Sequence, residues 1–220
     1  MSIRDERKQQ SRQALLDAAL SLSTSGRSFS SISLREVARE VGLVPTAFYR
    51  HFQDMDELGR ELVDQVALYL KAVLHQLGQG LARPNSKAET STELFFDAID
   101  QNPQQWIFMI AERWGGSAVV RQGIAREIEC LNVDLANDLK KFEIVENFQD
   151  IEDLKMLSSI LINLCFTWAM SWISLSRQHE GLELELHKNI LKKQTIIQIR
   201  LVFKGIHHWK PSVQLEPSES

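Results

Sequence analysis

Cysteine occurs only twice in the 220 residues, at Cys130 and Cys165. Neither stands at CxxC spacing, which excludes a disulfide scaffold or thiolate knuckle and predicts buried, reduced thiols. Proline and glycine are sparse, at 5 and 10 residues; this is too little for a collagenous or linker-like chain and suits long helices. No Asn-Gly or Asp-Gly pair occurs and β-branched residues never alternate for long, so hairpins and sheets have no signal. No run reaches the roughly 18 apolar residues of a membrane span. The opening "MSIRDERKQQSRQ" lacks the apolar stretch of a secretory leader, so the expectation is a cytoplasmic chain with no membrane insertion. A nucleophile elbow, a Ser-His-Asp order and paired carboxylates are all missing, and no enzyme is expected. His75, His179, His187, His207 and His208 have no Cys or Asp at ligand spacing, so neither a metal nor a cofactor is expected.

What is present is helical periodicity from end to end, and the reading is all-α. Leu15, Ala18, Ala19 and Leu22 recur at helical spacing over about 8–25, and Gly26 supplies a C-terminal stop. Ser33 with Glu36 forms a capping-box pattern ahead of Leu34, Val37, Ala38 and Val41. Gly42 suits a tight turn, and Pro45 opens a short third helix ending near His51. Two short helices joined by a glycine turn predict a helix-turn-helix. Asp54 can cap a long fourth helix to about Gly78, and 78–89 reads as loop. Two helices split at Asn102-Pro103 follow, then one from Ser117 to about Phe142, a longer one from Asp150, and a last over about 183–208. The segment "ILINLCFTWAMSWI" (160–173) is apolar nearly all round and too short on its own to cross a bilayer. It must therefore be covered on every side.

Charge divides unevenly. Residues 1–53 carry 8 Lys/Arg against 5 Asp/Glu and residues 54–220 carry 17 against 24, so the net −4 separates into +3 and −7. Only the N-terminal part has the sign to approach phosphate. On the third helix Phe48 and Phe52 lie four apart and are expected to face inward. Val44, Pro45, Thr46, Ala47, Tyr49, Arg50 and His51 are then left outward, with Tyr49, Arg50 and His51 as donors to phosphate or base edges and the apolar members against thymine methyls. Arg35, from the second helix, would add another phosphate or base contact. Spacing alone leaves a second reading open, an ordinary polar face on an all-α protein.

The stretch from Ser33 to Leu58, "SLREVAREVGLVPTAFYRHFQDMDEL", resembles the DNA-binding domain of the TetR family, with its Ser-led second helix, turn glycine and terminal "YRHF" box. The resemblance implies a helix-turn-helix domain over 1–53, an effector-binding and dimerisation domain over 54–210, and a tail over 211–220. It also implies DNA contacts from Ser33, Arg35, Thr46, Tyr49 and His51. Met55 departs from the pattern, since many members place Lys there. Three blocks, 28–59, "ERWGGSAVVRQGIAREI" and "RLVFKGIHHW", are similar to a family repressor of unsaturated fatty-acid synthesis genes. That similarity implies a homodimer on a palindromic double-stranded operator, with long-chain acyl-CoA or acyl-carrier-protein thioesters as effectors.

For such a ligand the apolar candidates are Phe95, Phe96, Ile99, Trp106, Met109, Phe166, Trp168 and Trp172, with Arg113 beside the Gly115-Gly116 turn for a phosphate. Aromatics at this spacing also fill ordinary cores, and the double glycine also marks a sharp connection. The dimer candidates are Leu161 and Leu164 on one helix and Ile190, Ile197 and Leu201 on the last, as an isologous four-helix contact. The rivals are a regulator of another pathway, such as efflux, whose pocket would hold several inward acids, and a soluble acyl-CoA-binding protein or enzyme.

Overall fold

The structure is a computed structural model that describes residues 3–82, 88–141, 145, 148 and 150–207. The described residues form nine α-helices and no strand. They are α1 (Ile3–Thr24), α2 (Leu34–Glu40), α3 (Pro45–Phe48), α4 (Met55–Ala82), α5 (Ala88–Gln101), α6 (Pro103–Glu112), α7 (Ala118–Leu139), α8 (Ile151–Gln178) and α9 (Gly181–His207), with a 3₁₀ turn at Phe29–Ser31. The loop expected over 78–89 is shorter than predicted, because α4 runs on to Ala82; its middle, and the tail expected over 211–220, lie outside the described residues. The chain forms two compact units, 1–74 with 96–131 and 75–95 with 132–220.

In the first unit α1 buries Leu15, Leu16, Ala18, Ala19 and Leu20 and ends where Gly26 takes a φ of 91°, the left-handed value that a side chain would resist. α6 packs along α1 and sinks Trp106, Phe108 and Met109 to zero exposure. Phe29 meets Phe108 edge to face at 6.4 Å. Each fully buried side chain of this size contributes about 1.5–3 kcal/mol. Gly59 lets α4 come close, since a Cβ there would stand 2.9 Å from Val120 and 3.0 Å from the Phe29 ring.

The second unit has a core of Ala136, Leu139, Val145, Leu154, Leu157 and Ile206. α8 begins where Asp150 accepts from the Glu152 amide at 3.1 Å. At 28 residues, with mean hydropathy 1.5 in its most apolar window, α8 exceeds the apolar segment read from sequence and meets the length and composition of a membrane span. Of that window, 44% is buried within the protein. Cys165 is buried here, and desolvation pushes its thiol up to about 12. Cys130, expected to be buried, is exposed. It falls off the α7 stripe of Val120, Ile124 and Leu131 that faces the first unit's core.

Candidate nucleic-acid interface

The helix-turn-helix assembles as its local signals require. Ser33 Oγ accepts from the Glu36 amide at 3.3 Å, and Glu36 Oε2 accepts from the Ser33 amide at 2.9 Å and its hydroxyl at 2.8 Å, completing the capping box. Arg27 donates to Glu36 Oε1 at 2.9 Å. The hydrogen bond from Arg27, then those from Ser33, hold the Glu36 carboxyl down at about 2. Gly42 turns the chain with a φ of 70°, and the Leu43 amide reaches back to the Ala38 carbonyl at 2.8 Å. Pro45 then opens α3, where its missing N–H costs nothing.

The α-helix stops at Phe48 rather than near His51. Beyond it the chain continues in tighter i to i+3 bonds, from the Arg50 amide to the Ala47 carbonyl and from the His51 amide to the Phe48 carbonyl. This brings Phe48 and Phe52 together at 5.6 Å, fully buried as predicted. Val44 is 65% exposed and Tyr49 62%; Pro45, Thr46, Arg50, Ser33 and Arg35 are also exposed, and Ala47 is half-buried.

His51 departs from the outward placement expected of it. It is half-buried, its Nδ1 has no hydrogen-bond partner among the described residues, and its carbonyl receives Arg12. Desolvation, then the charges of Arg12, Lys8 and Arg50, hold its pKa below the ordinary value, so it is neutral near pH 7. Sequence reasoning also passed over Arg12. It pairs with Glu61 through Nε at 2.9 Å and lies 4.1 Å over the Phe52 ring. Its i+3 and i+4 spacing to Leu15 and Leu16 on α1 was the only sequence signal for it. At the start of α4, Asp54 accepts from the Glu57 amide at 2.7 Å and Glu57 from the Gln53 amide at 2.6 Å. Side-chain carboxylates thus occupy both of these amides.

The expected ligand residues are divided between the units. Phe96, Ile99, Trp106, Met109 and Arg113 belong to the first, all but Arg113 buried. Phe95, Phe166, Trp168 and Trp172 belong to the second and are buried. Phe95 meets Trp168 edge to face at 6.2 Å, and Trp168 Nε1 donates to Gln198. Thr195 in the same unit is fully buried, and its hydroxyl has no hydrogen-bond partner among the described residues. Arg113 lines a cavity of about 540 Å³ with Trp114, Arg121 and Ile124.

Glu112 proves to be an inward acid, 2% exposed. Its Oε1 accepts from the Phe29 amide at 2.7 Å, while Oε2 has no hydrogen-bond partner among the described residues. Burial pushes its carboxyl up. Gly115 and Gly116 have a packing reason, because a Cβ on either would overlap the Glu112 carboxylate or the Ser30 hydroxyl. Of the dimer candidates, Ile190, Ile197 and Leu201 are 43%, 57% and 66% exposed. Leu164 is half-buried, and Leu161 packs against the core of its own unit.

Two family models match the chain, one described as bacterial regulatory proteins of the tetR family over residues 15–62, the other as a tetracyclin repressor-like C-terminal domain over 84–193. Solved structures of similar fold include a transcriptional regulator from Rhodococcus sp. Rha1, 15% identical, covering 89% of this chain and 97% of that one with a TM-score of 0.62. The fatty acid degradation regulator FadR from Bacillus halodurans is 10% identical over 90% and 94%, with a TM-score of 0.59. The multidrug binding protein EbrR, complexed with imidazole, is 14% identical over 94% and 98%, with a TM-score of 0.54.

Proposed function

Because this chain belongs to the TetR family of bacterial regulatory proteins, whose members bind operator DNA and dimerise, we propose that it is a homodimeric repressor of unsaturated fatty-acid synthesis genes, responsive to long-chain acyl thioesters. The observation that carries the DNA-binding part is the pairing of opposite faces on one short segment. Phe48 and Phe52 are buried, while Val44, Pro45, Thr46, Tyr49 and Arg50 are presented to solvent. Tyr49 and Arg50 supply hydroxyl and guanidinium donors to phosphate or base edges, Val44 and Pro45 apolar contact. Neutral His51 would act as an uncharged N–H donor.

The dimer reading is supported by apolar side chains on one face of α9, Leu186, Ile190, Ile197 and Leu201, spaced by four, seven and four residues and exposed by 43–66%. Met156, Ile160 and Met170 on α8 are likewise exposed. Faces of this kind on a soluble chain want a partner, and a second copy offers the same faces in two-fold symmetry.

The pathway assignment rests on three sequence blocks similar to FabR, the repressor of unsaturated fatty-acid synthesis genes. The structural neighbours bear on the fold alone at 10–15% identity, and they include both a fatty-acid and a multidrug protein. Titration of operator DNA from a fatty-acid synthesis promoter, at fixed salt, with and without saturated and unsaturated long-chain acyl-CoA decides the matter. The expected result is specific binding whose affinity moves differently with the two acyl chains. Binding to that operator indifferent to both would overturn the effector reading, and no specific binding would overturn the pathway. Trp106→Ala and Trp168→Ala proteins, titrated in the same way, test the aromatic residues of each unit separately.

A further inference from the structure

His179, Glu183 and His187 bring two imidazole nitrogens and a carboxylate oxygen to one spot at the α8–α9 corner, and we infer that they bind a divalent transition-metal ion of the zinc type. His179 Nδ1 lies 3.1 Å from Glu183 Oε1, and His187 Nε2 lies 3.9 Å from the same oxygen. The three donor atoms all fall within 4.8 Å of one another. With metal-ligand bonds of about 2.0–2.2 Å, tetrahedral donors stand about 3.4 Å apart, so side-chain movements of about 1–1.5 Å close the site.

The backbone explains how the three meet. Glu183 and His187 are one turn apart on α9, so their side chains share a face. His179 is the residue after α8, in extended conformation, and Gly181 with a φ of 57° turns the chain so that His179 falls back over the first turn of α9. The two imidazoles stack with centroids 4.3 Å apart and planes 23° apart. Coordination requires them to splay by side-chain rotation, which this surface corner permits: Glu183 is 65% exposed and His187 39%. The next cation along the helix, Lys188, is held 4.2 Å over the Trp172 ring.

The donor set points to the ion. Two neutral imidazoles with one carboxylate suit zinc, cobalt, nickel or copper, whereas magnesium and calcium take oxygen ligands. Three protein ligands leave a position for water. The sequence reading set these histidines aside for want of a Cys or Asp at ligand spacing; the carboxylate is a glutamate, midway between them at four residues from each.

The test uses the full-length protein, stripped by chelator and dialysed. Zn²⁺ is titrated by calorimetry, Co²⁺ by visible absorption, and Tm is followed with each. The expected result is one Zn²⁺ per chain, a tetrahedral Co²⁺ spectrum and a Tm raised by Zn²⁺ but not by Mg²⁺. His179→Ala, Glu183→Gln and His187→Ala each lose all three effects, while His75→Ala and Cys130→Ser keep them. In the unaltered protein with ¹⁵N-labelled histidine, Zn²⁺ moves the ring resonances of His179 and His187, a readout independent of whether any variant folds. Absence of zinc uptake, uptake unchanged in the three variants, or ring shifts confined to other histidines overturns the site.

Discussion

The Arg12 guanidinium, on α1, donates to the main-chain carbonyl of His51 at the end of the recognition segment. The same side chain pairs with Glu61 on α4 and covers the Phe52 ring. One residue therefore ties together three pieces of chain whose register the proposed DNA contacts of Tyr49 and Arg50 require. Arg12→Ala is expected to lower stability by about 1–2 kcal/mol, the range for a partly exposed charged hydrogen-bond network. Operator affinity should fall by more than that destabilisation explains. Urea unfolding and fluorescence anisotropy, run on the same preparation, separate the two effects.

Tyr49 and Arg50 extend into solvent, so their replacement should leave the fold intact and change only the DNA contact. Arg50→Ala is expected to reduce the slope of log affinity against log salt by about 1 if the guanidinium meets a phosphate, and to relax base preference at one position if it meets a guanine. Tyr49→Phe should weaken binding uniformly across operator variants. Unchanged affinity in both proteins would sink the assignment of this face.

How much of this was legible in the sequence follows from the range of each interaction. The capping box at Ser33, the turns at Gly26 and Gly42, the cap at Asp54 and the break at Asn102-Pro103 are set by neighbours within four residues, and the helices begin and end close to where those signals lie. The end of α3 escaped because i to i+3 and i to i+4 turns impose the same order of residue types. Glu112 escaped because its partner is the Phe29 amide, 83 residues away, and a charged side chain at a helix end reads as solvated. Half-buried His51 escaped for a like reason: Arg12 and Lys8, whose charges depress its pKa, come from α1.

Glu112 also carries a dependence on pH. Burial raises its carboxyl above the ordinary 4.5, so the native state holds a proton that the unfolded chain has already released. The sign is fixed: this contribution is fully present below about pH 4.5 and is lost as pH rises through the folded value. Glu112→Gln should abolish that decline in urea midpoints measured across the interval. Gly115→Ala should push the carboxylate off the Phe29 amide and cost about 1–3 kcal/mol, as overpacking does.

Ile197 and Leu201, four residues apart on α9, are 57% and 66% exposed. Ile197→Glu with Leu201→Glu is expected to yield a folded monomer by light scattering, with unchanged helicity and operator affinity reduced by the loss of paired heads. A dimer that persists would place the interface elsewhere.

Cys165 and Cys130 differ in a way that a spectroscopist can use. A thiol held at about 12 inside the protein is almost never a thiolate at neutral pH, so maleimides pass it by. Cys130 stands in solvent on α7. Each chain therefore carries a single addressable sulfur, and an assembly of two copies becomes a molecule with two labels whose separation can be followed while operator and effector are added.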